Sequence, residues 1–288
     1  MKRPYLTKQN GKYEIKVRTC GGSLDLKQFT ALRDIADNYG SGKIHLTVRQ
    51  EVLLFDIEED HLEEALRKLE DAGLRGGSAG FRVRNIVCCV GQRCKNSVLD
   101  VTGLAQDLDE KYGERELPGA VKIAMGSCPY PCTRPYLNDI GIIARAYPVV
   151  DLEKCEGSAK CVEACPMKAI SINEDNKAVI NRKKCKMCGR CINTCPLSAI
   201  YAKEKGLTVV VGGRGTWPAL KGEILAEMLE PRDIVPLVGK ILDYYEQNAL
   251  SHEKRLRPFV KRIGIEKMRK DILDTDKPVG QRWREAML

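Results

Sequence analysis

Aromatic residues are scarce in this chain, at 6% of 288 residues, and no block of basic residues is gathered into one arm. Base stacking needs aromatic faces beside a basic groove, so the formal charge of +9 is not read as a nucleic-acid platform. No apolar run approaches the roughly 18 residues that a membrane span requires. The N-terminal MKRPYLTKQNGKYEIK has a basic start with no apolar core behind it, which argues against a secretory signal and gives the expectation of a cytoplasmic protein. With 43% hydrophobic residues, the chain is too apolar to be disordered and long enough for two or three units with their own cores.

Cysteine is abundant. Of thirteen, eleven fall into spaced groups between Cys88 and Cys195, leaving over Cys20 and one of the adjacent pair Cys88 and Cys89. A disulfide framework belongs to short secreted domains, and neither the length nor the N-terminus fits one. In RNIVCCVGQRC five residues separate Cys88 from Cys94, and in GSCPYPC three separate Cys128 from Cys132. Gly91, Gly126 and Pro129 permit the sharp turns that bring four thiolates onto one iron–sulfur cube. Structural zinc prefers gaps of two to four residues and often uses histidine, and no histidine flanks either pair.

Downstream, CEGSAKCVEACPMKAISI and CKMCGRCINTCPLSAIYA form an internal repeat. The second copy is a complete C-x2-C-x2-C-x3-C-P run of the two-cluster bacterial ferredoxin kind, in which the fourth cysteine of each run ligates the other cluster. One cluster then takes Cys185, Cys188, Cys191 and Cys165. The other takes Cys155, Cys161 and Cys195, with Ser158 where a cysteine is expected. Three thiolates hold a [3Fe–4S] cluster, or a [4Fe–4S] cluster with an atypical fourth ligand, so an occupied but altered site is expected.

The remaining sequence reads as support. Tyr13, Ile15 and Val17 alternate as a strand, and Leu26, Phe29, Leu32, Ile35 and Ala36 share a helical face behind an Asp25/Gln28 capping box. KIHLTVR and VLLFDI read as strands, and DHLEEALRKLEDAG as a second helix with Leu62, Leu66 and Leu69 inward. The order β-α-β-β-α is ferredoxin-like, and it places Arg49 of TVRQ at a strand tip. Beyond the repeat, Thr208–Val211 reads as a strand, after which Gly212, Gly213 and Gly215 allow close approach of a planar ligand.

Cys-x5-Cys followed by Cys-x3-Cys, with the second pair inside SCPYPCTRPYLNDIGI, resembles the sirohaem–[4Fe–4S] signature of sulfite and nitrite reductases. TVRQ resembles the family's anion-facing arginine motif, and a ferredoxin spliced into the core resembles its anaerobic and dissimilatory members. The resemblance implies an α+β fold with a ferredoxin-like half-domain (1–76), a sirohaem/[4Fe–4S] α/β core (77–147 and 204–288) and an inserted two-cluster ferredoxin domain (148–203). It implies that Cys132 is shared between the cube and the sirohaem iron, with Cys94, Cys128 and either Cys88 or Cys89 completing the cube. The five-residue spacing favours Cys88, whereas the family's Cys-Val/Pro-Gly order matches Cys89-Val90-Gly91. Arg49, Arg84 and Lys122 are implied as anion-facing cations and Gly212 and Gly213 as neighbours of the macrocycle, while Ala120 stands where a companion lysine is expected. The implied activity is six-electron reduction of sulfite to sulfide, fed by an electron-donor protein through the chain's own ferredoxin domain. Nitrite reduction to ammonia uses the same centre, and an electron-transfer or scaffold subunit without sirohaem is the reading from a different class. A single copy of half-domain and core implies a homo- or hetero-oligomer.

Overall fold

Two antiparallel strands, β1 (Leu6–Gln9) and β2 (Lys12–Arg18), begin the computed structural model, which describes residue 3, residues 5–130 and residues 132–274. The alternation along β2 buries Ile15 and Val17 completely. Helix α1 (Leu26–Tyr39) starts at a reciprocal cap: the Asp25 carboxylate accepts the Gln28 N–H at 2.8 Å, and the Gln28 side chain accepts the Asp25 N–H at 3.1 Å. Leu32, Ile35 and Ala36 face the core. Leu26 and Phe29, expected on the same face, are exposed, and the chain just before and within this first turn borders an open cleft lined by Ser23, Leu24 and Gln28. Strands β3 (Ile44–Leu46) and β4 (Val52–Ile57), helix α2 (Glu59–Asp71) and β5 (Arg75–Gly76) complete the unit. The sheet runs β1-β2-β4-β3 with β5 also on β2, so β2-α1-β3-β4-α2-β5 follows the ferredoxin-like path and β1 is an addition.

The second unit is a sheet in the order β12-β11-β8-β7-β6. It contains β6 (Val87–Cys88), β7 (Ile123–Gly126) and β8 (Ile140–Val150), with helix α3 (Thr102–Tyr112) crossing between β6 and β7. β6, β7 and β8 are parallel neighbours. β7 and nearly all of β8 are buried, so both are apolar without alternation, interrupted only by the buried Arg145.

Between β8 and the next strand of this sheet the chain makes an excursion. It contains helix α4 (Lys160–Ala164), the antiparallel pair β9 (Ile170–Ile172) and β10 (Ala178–Ile180), and helix α5 (Arg190–Thr194). β11 (Ile200–Val211) then pairs with β8 from Val211↔Ile140 out to Ile200↔Val150, so the excursion leaves and re-enters the sheet at adjoining points. β12 (Glu223–Leu229), α6 (Pro231–Asn248), α7 (Leu256–Ile263) and α8 (Ile265–Leu273) follow, and the helices pack Ile234, Tyr245, Phe259 and Met268 onto the sheet.

Candidate active site

The turn between β3 and β4 carries Arg49 and Gln50, the latter in the left-handed region at φ 58°. Gln50 behaves as a short piece of strand. Its Nε2 donates to the Cys88 carbonyl at 2.7 Å and its Oε1 accepts the Cys88 N–H at 2.9 Å, satisfying backbone groups at the end of β6. Asn85 Nδ2 donates to the Arg49 carbonyl at 2.7 Å, while Arg49 returns Nη2 to the Asn85 carbonyl and Nη1 to Asn138 Oδ1 at 3.0 Å. The tip is thereby fastened to the strand that introduces the first cysteines, which fixes where the Arg49 guanidinium points. Burial lowers its pKa to about 10, and its Nε has no partner among the described residues.

Beside this junction lies a cavity of about 340 Å³ whose wall includes Cys88, Cys89, Cys94, Cys128 and Cys132. Cys88 is the last residue of β6, and Cys89 lies just beyond it. Cys88 turns into the core at 1% exposure with its sulfur 3.8 Å from the Val101 carbonyl. Cys89 turns outward, and its sulfur accepts the Ser127 N–H at 3.2 Å. The Cys88 thiol donates to the Cys89 sulfur, so the Cys89 thiol is drawn down to about 5 and that of Cys88 is pushed up. Burial raises the Cys128 thiol, and Cys89, Cys94 and Cys132 add to the effect as neighbouring thiols. Among the described residues no three Cys, His, Asp or Glu side chains converge on a single ion-sized point. Soft sulfurs spread around a cavity, with an amide already directed at one of them, fit an iron–sulfur cube.

A second cavity of about 440 Å³ adjoins the first, and Gln50, Cys132 and Thr133 line both. Its wall carries Arg49, Lys122, Arg134 and Arg255, with Asn138 and Gly215. Burial first, and then repulsion from Arg255 and Arg49, presses the Lys122 pKa below the ordinary lysine range. Four cations and a thiol suit a flat cofactor bearing many carboxylates. Asp139, fully buried behind this wall, accepts the Lys122 N–H at 3.0 Å and pairs with Arg255 at 2.7 Å. Arg84 is not part of the wall, since its Nη1 is tied to the Ser78 carbonyl at 2.7 Å.

The family model described as "Nitrite and sulphite reductase 4Fe-4S domain" matches residues 79–279, and the one described as "Nitrite/Sulfite reductase ferredoxin-like half domain" matches residues 6–72. The chain belongs to the nitrite and sulfite reductase family. It is similar to the coenzyme F420-dependent sulfite reductase of Methanocaldococcus jannaschii, 37% identical over 266 residues that cover 91% of this chain and 42% of that protein. It is also similar to one of the subunits of the anaerobic sulfite reductase of Salmonella typhimurium, 34% identical over 180 residues that cover 57% of this chain and 53% of that one. The chain thus spans about half the length of these curated relatives. The crystal structure of dissimilatory sulfite reductase I superposes with a TM-score of 0.76 at 21% identity, covering 93% of this chain and 70% of that chain, which shows a shared fold.

Within this family member the excursion between β8 and β11 gathers seven further thiols into two sets, with Cys20 outside them. Burial raises the Cys191 thiol to about 12, and its thiol neighbours are Cys185, Cys188 and Cys165. Burial likewise raises the Cys161 thiol, beside Cys195 and Cys155. Backbone amides point at the sulfurs: Met187 N–H to Cys185, Ala169 N–H to Cys165 and Ala178 N–H to Cys155, at 3.3 to 3.4 Å. Ser158 lines the same hollow as Cys155, Cys161 and Cys195. The α5 side touches the core, with Arg190 Nη1 on Tyr130 Oη at 3.3 Å and the Arg145 guanidinium on the Lys186 carbonyl at 2.7 Å.

Gly212 and Gly213 line neither cavity. A Cβ on Gly213 would stand 2.4 Å from the Asn138 carbonyl oxygen, so that glycine answers to the protein's own packing, and Gly215 is the one on the cavity wall. Asn85, Asn138, Asp139 and Arg255 were not singled out from sequence. Arg255 lies 116 positions from Asp139 in a tail whose basic face reads as solvated, so only the folded chain brings the two together.

Proposed function

We propose that this chain is the catalytic unit of a sirohaem-dependent sulfite reductase that takes sulfite to sulfide. The observation that carries this reading is Cys132, which borders both the thiol-lined and the cationic cavity and so would serve a [4Fe–4S] cube and a sirohaem held side by side. The cube is held by Cys89, Cys94, Cys128 and Cys132. Cys88, which the five-residue spacing favours, stands behind Cys89 as a hydrogen-bond donor. When bound, the cofactors supply the six electrons, which no side chain stores at the required potential.

The chain's own residues do the rest. Arg49 and Lys122 offer charge-assisted hydrogen bonds to the oxyanion, with Arg49 aimed by Asn85 and Asn138. A lysine whose pKa is lowered gives up its proton more readily, which suits Lys122 to protonating a departing oxygen. The set Cys165, Cys185, Cys188 and Cys191 holds the ferredoxin cluster nearer the core, because α5 meets Tyr130 beside the cube loop. Cys155, Cys161 and Cys195, with Ser158, would hold the other cluster, which would supply the entry point for electrons from an outside donor. A second half-domain and core from another subunit would complete the cationic cavity, beside which Val48 is 98% exposed.

Anaerobically purified protein is expected to contain sirohaem, shown by strong chlorin-like visible bands, together with iron and acid-labile sulfide for three clusters. Full iron with Fe–S absorbance alone would overturn the reading. Turnover on reduced protein is expected to favour sulfite, and turnover of nitrite only would replace the substrate.

A further inference from the structure

We propose that Arg255 is a working cation of the pocket, holding an anionic oxygen beside Arg49 and Lys122. The proposal rests on the reductase reading above and adds to it a residue from the C-terminal helices. The oxygen is that of the substrate oxyanion or of a tetrapyrrole carboxylate, two sources of one chemistry.

Arg255 directly precedes α7 and reaches the same cavity wall as Arg49, Lys122 and Arg134. Its Nε and Nη2 grip the two oxygens of Asp139 at 3.2 and 2.7 Å. Nη1 takes no partner among the described residues, and the side chain keeps 28% exposure. A purely structural ion pair would not need that open edge. The fork is also held in place from behind. Asp139 is fully buried and accepts the Lys122 backbone N–H, so one carboxylate holds the Arg255 fork and anchors the chain at Lys122. The Ala120 N–H donates to the Lys254 carbonyl at 3.1 Å, and a Cβ on Gly119 would stand 2.3 Å from that carbonyl, so the two segments are fastened in close contact. Position 120 itself presents only a methyl group, and Arg255 supplies charge from the segment packed against it.

Charge balance points the same way. The wall includes four cations and no carboxylate among its lining residues, and Asp139 behind it offsets one. Arg255 is close enough to oppose protonation of Lys122, Arg49 and Arg84 alike. Such a cluster is relieved by an anion with more than one negative charge.

Removing the guanidinium alone would leave the buried Asp139 carboxylate unpaired, so the test uses R255K, which keeps charge but loses the fork, and the double variant D139N/R255Q, which removes both charges. Thermal unfolding establishes that both variants fold. In the holoenzyme, sirohaem per chain is measured, with KM and kcat for sulfite under an artificial reductant. Should the oxygen belong to the tetrapyrrole, sirohaem content falls severalfold in the double variant and less in R255K. Should it belong to the substrate, sirohaem stays full and KM rises about 10- to 100-fold in the double variant, as loss of a charge-assisted bond predicts, while kcat changes little. Unchanged sirohaem and unchanged KM would overturn the role of Arg255. A wild-type protein without sirohaem would instead overturn the reductase reading. Arg255 is then judged by calorimetric binding of sulfite to the protein as purified, where the wild type should bind about tenfold more tightly than D139N/R255Q and equal binding refutes the proposal.

Discussion

Cys88 and Cys89 occupy neighbouring positions with different surroundings: Cys88 ends β6 and is buried with its sulfur near the Val101 carbonyl, whereas Cys89, just past the strand, is only partly buried and accepts the Ser127 N–H. Replacing them should therefore have different consequences. C89S is expected to lose the iron and sulfide of one cluster, and the sirohaem with it. C88A should keep both and lose about 1 kcal/mol of stability for the small core void. Iron, sulfide and sirohaem per chain decide the matter, and the opposite pattern would return the ligand role to Cys88. Arg49 allows a similar test. If Arg49 makes a charge-assisted bond of roughly 1.5–3 kcal/mol to the oxyanion, R49Q should lower kcat/KM for sulfite by about 10- to 100-fold, whereas R49K should lose less. Arg49 was legible in sequence since a strand tip projects its side chain beyond the sheet. Cys88 and Cys89 stay alternatives in the sequence, since spacing counts residues and says nothing of which thiol is the more exposed.

At the scale of elements, the sequence was most informative where local chemistry dominates. The Asp25/Gln28 cap, the α2 face of Leu62, Leu66 and Leu69, and the alternation of β2 all appear as read. β1 was missed because LTKQ has no apolar alternation, and β5 because a two-residue strand carries no period. The excursion between β8 and β11 was legible from its repeat, but its attachment was not. The β8–β11 ladder, with one register shift between Ala202 and Glu204, reaches Val150↔Ile200, so the core sheet extends into it. Ser158 makes the two thiol sets unequal, and this gives the element its own prediction. S158C should raise iron by about one atom per chain and remove the EPR signal of an oxidised three-iron cluster, with no change at the core cube. An identical iron content and spectrum before and after the substitution would show that Ser158 does not limit that site.

At the scale of the whole molecule, Val48, Arg49 and Gln50 of the half-domain meet Lys122, Thr216 and Arg255 of the core around the rim of the cationic cavity. Two large apolar side chains mark that rim: Val48 beside Arg49 is 98% exposed, and Trp217, next to the wall residue Thr216, is 94% exposed. Hydrophobic groups of this size at the edge of a charged pocket are unfavourable in water, and burial against another subunit removes them while excluding solvent from the oxyanion. Cationic walls facing inward also account for part of the +9 charge without invoking a polyanionic partner. If a second copy covers the rim, a buried tryptophan there should rank among the strongest contacts. W217E is then expected to weaken association by roughly 2 kcal/mol or more, about 30-fold in the dissociation constant. Sedimentation velocity across a concentration series reads that shift directly, and sirohaem retention in the same samples shows whether covering the rim holds the cofactor. An unchanged dissociation constant would place the subunit contact elsewhere, and a monomer in both proteins would mean that the rim is covered by a different chain.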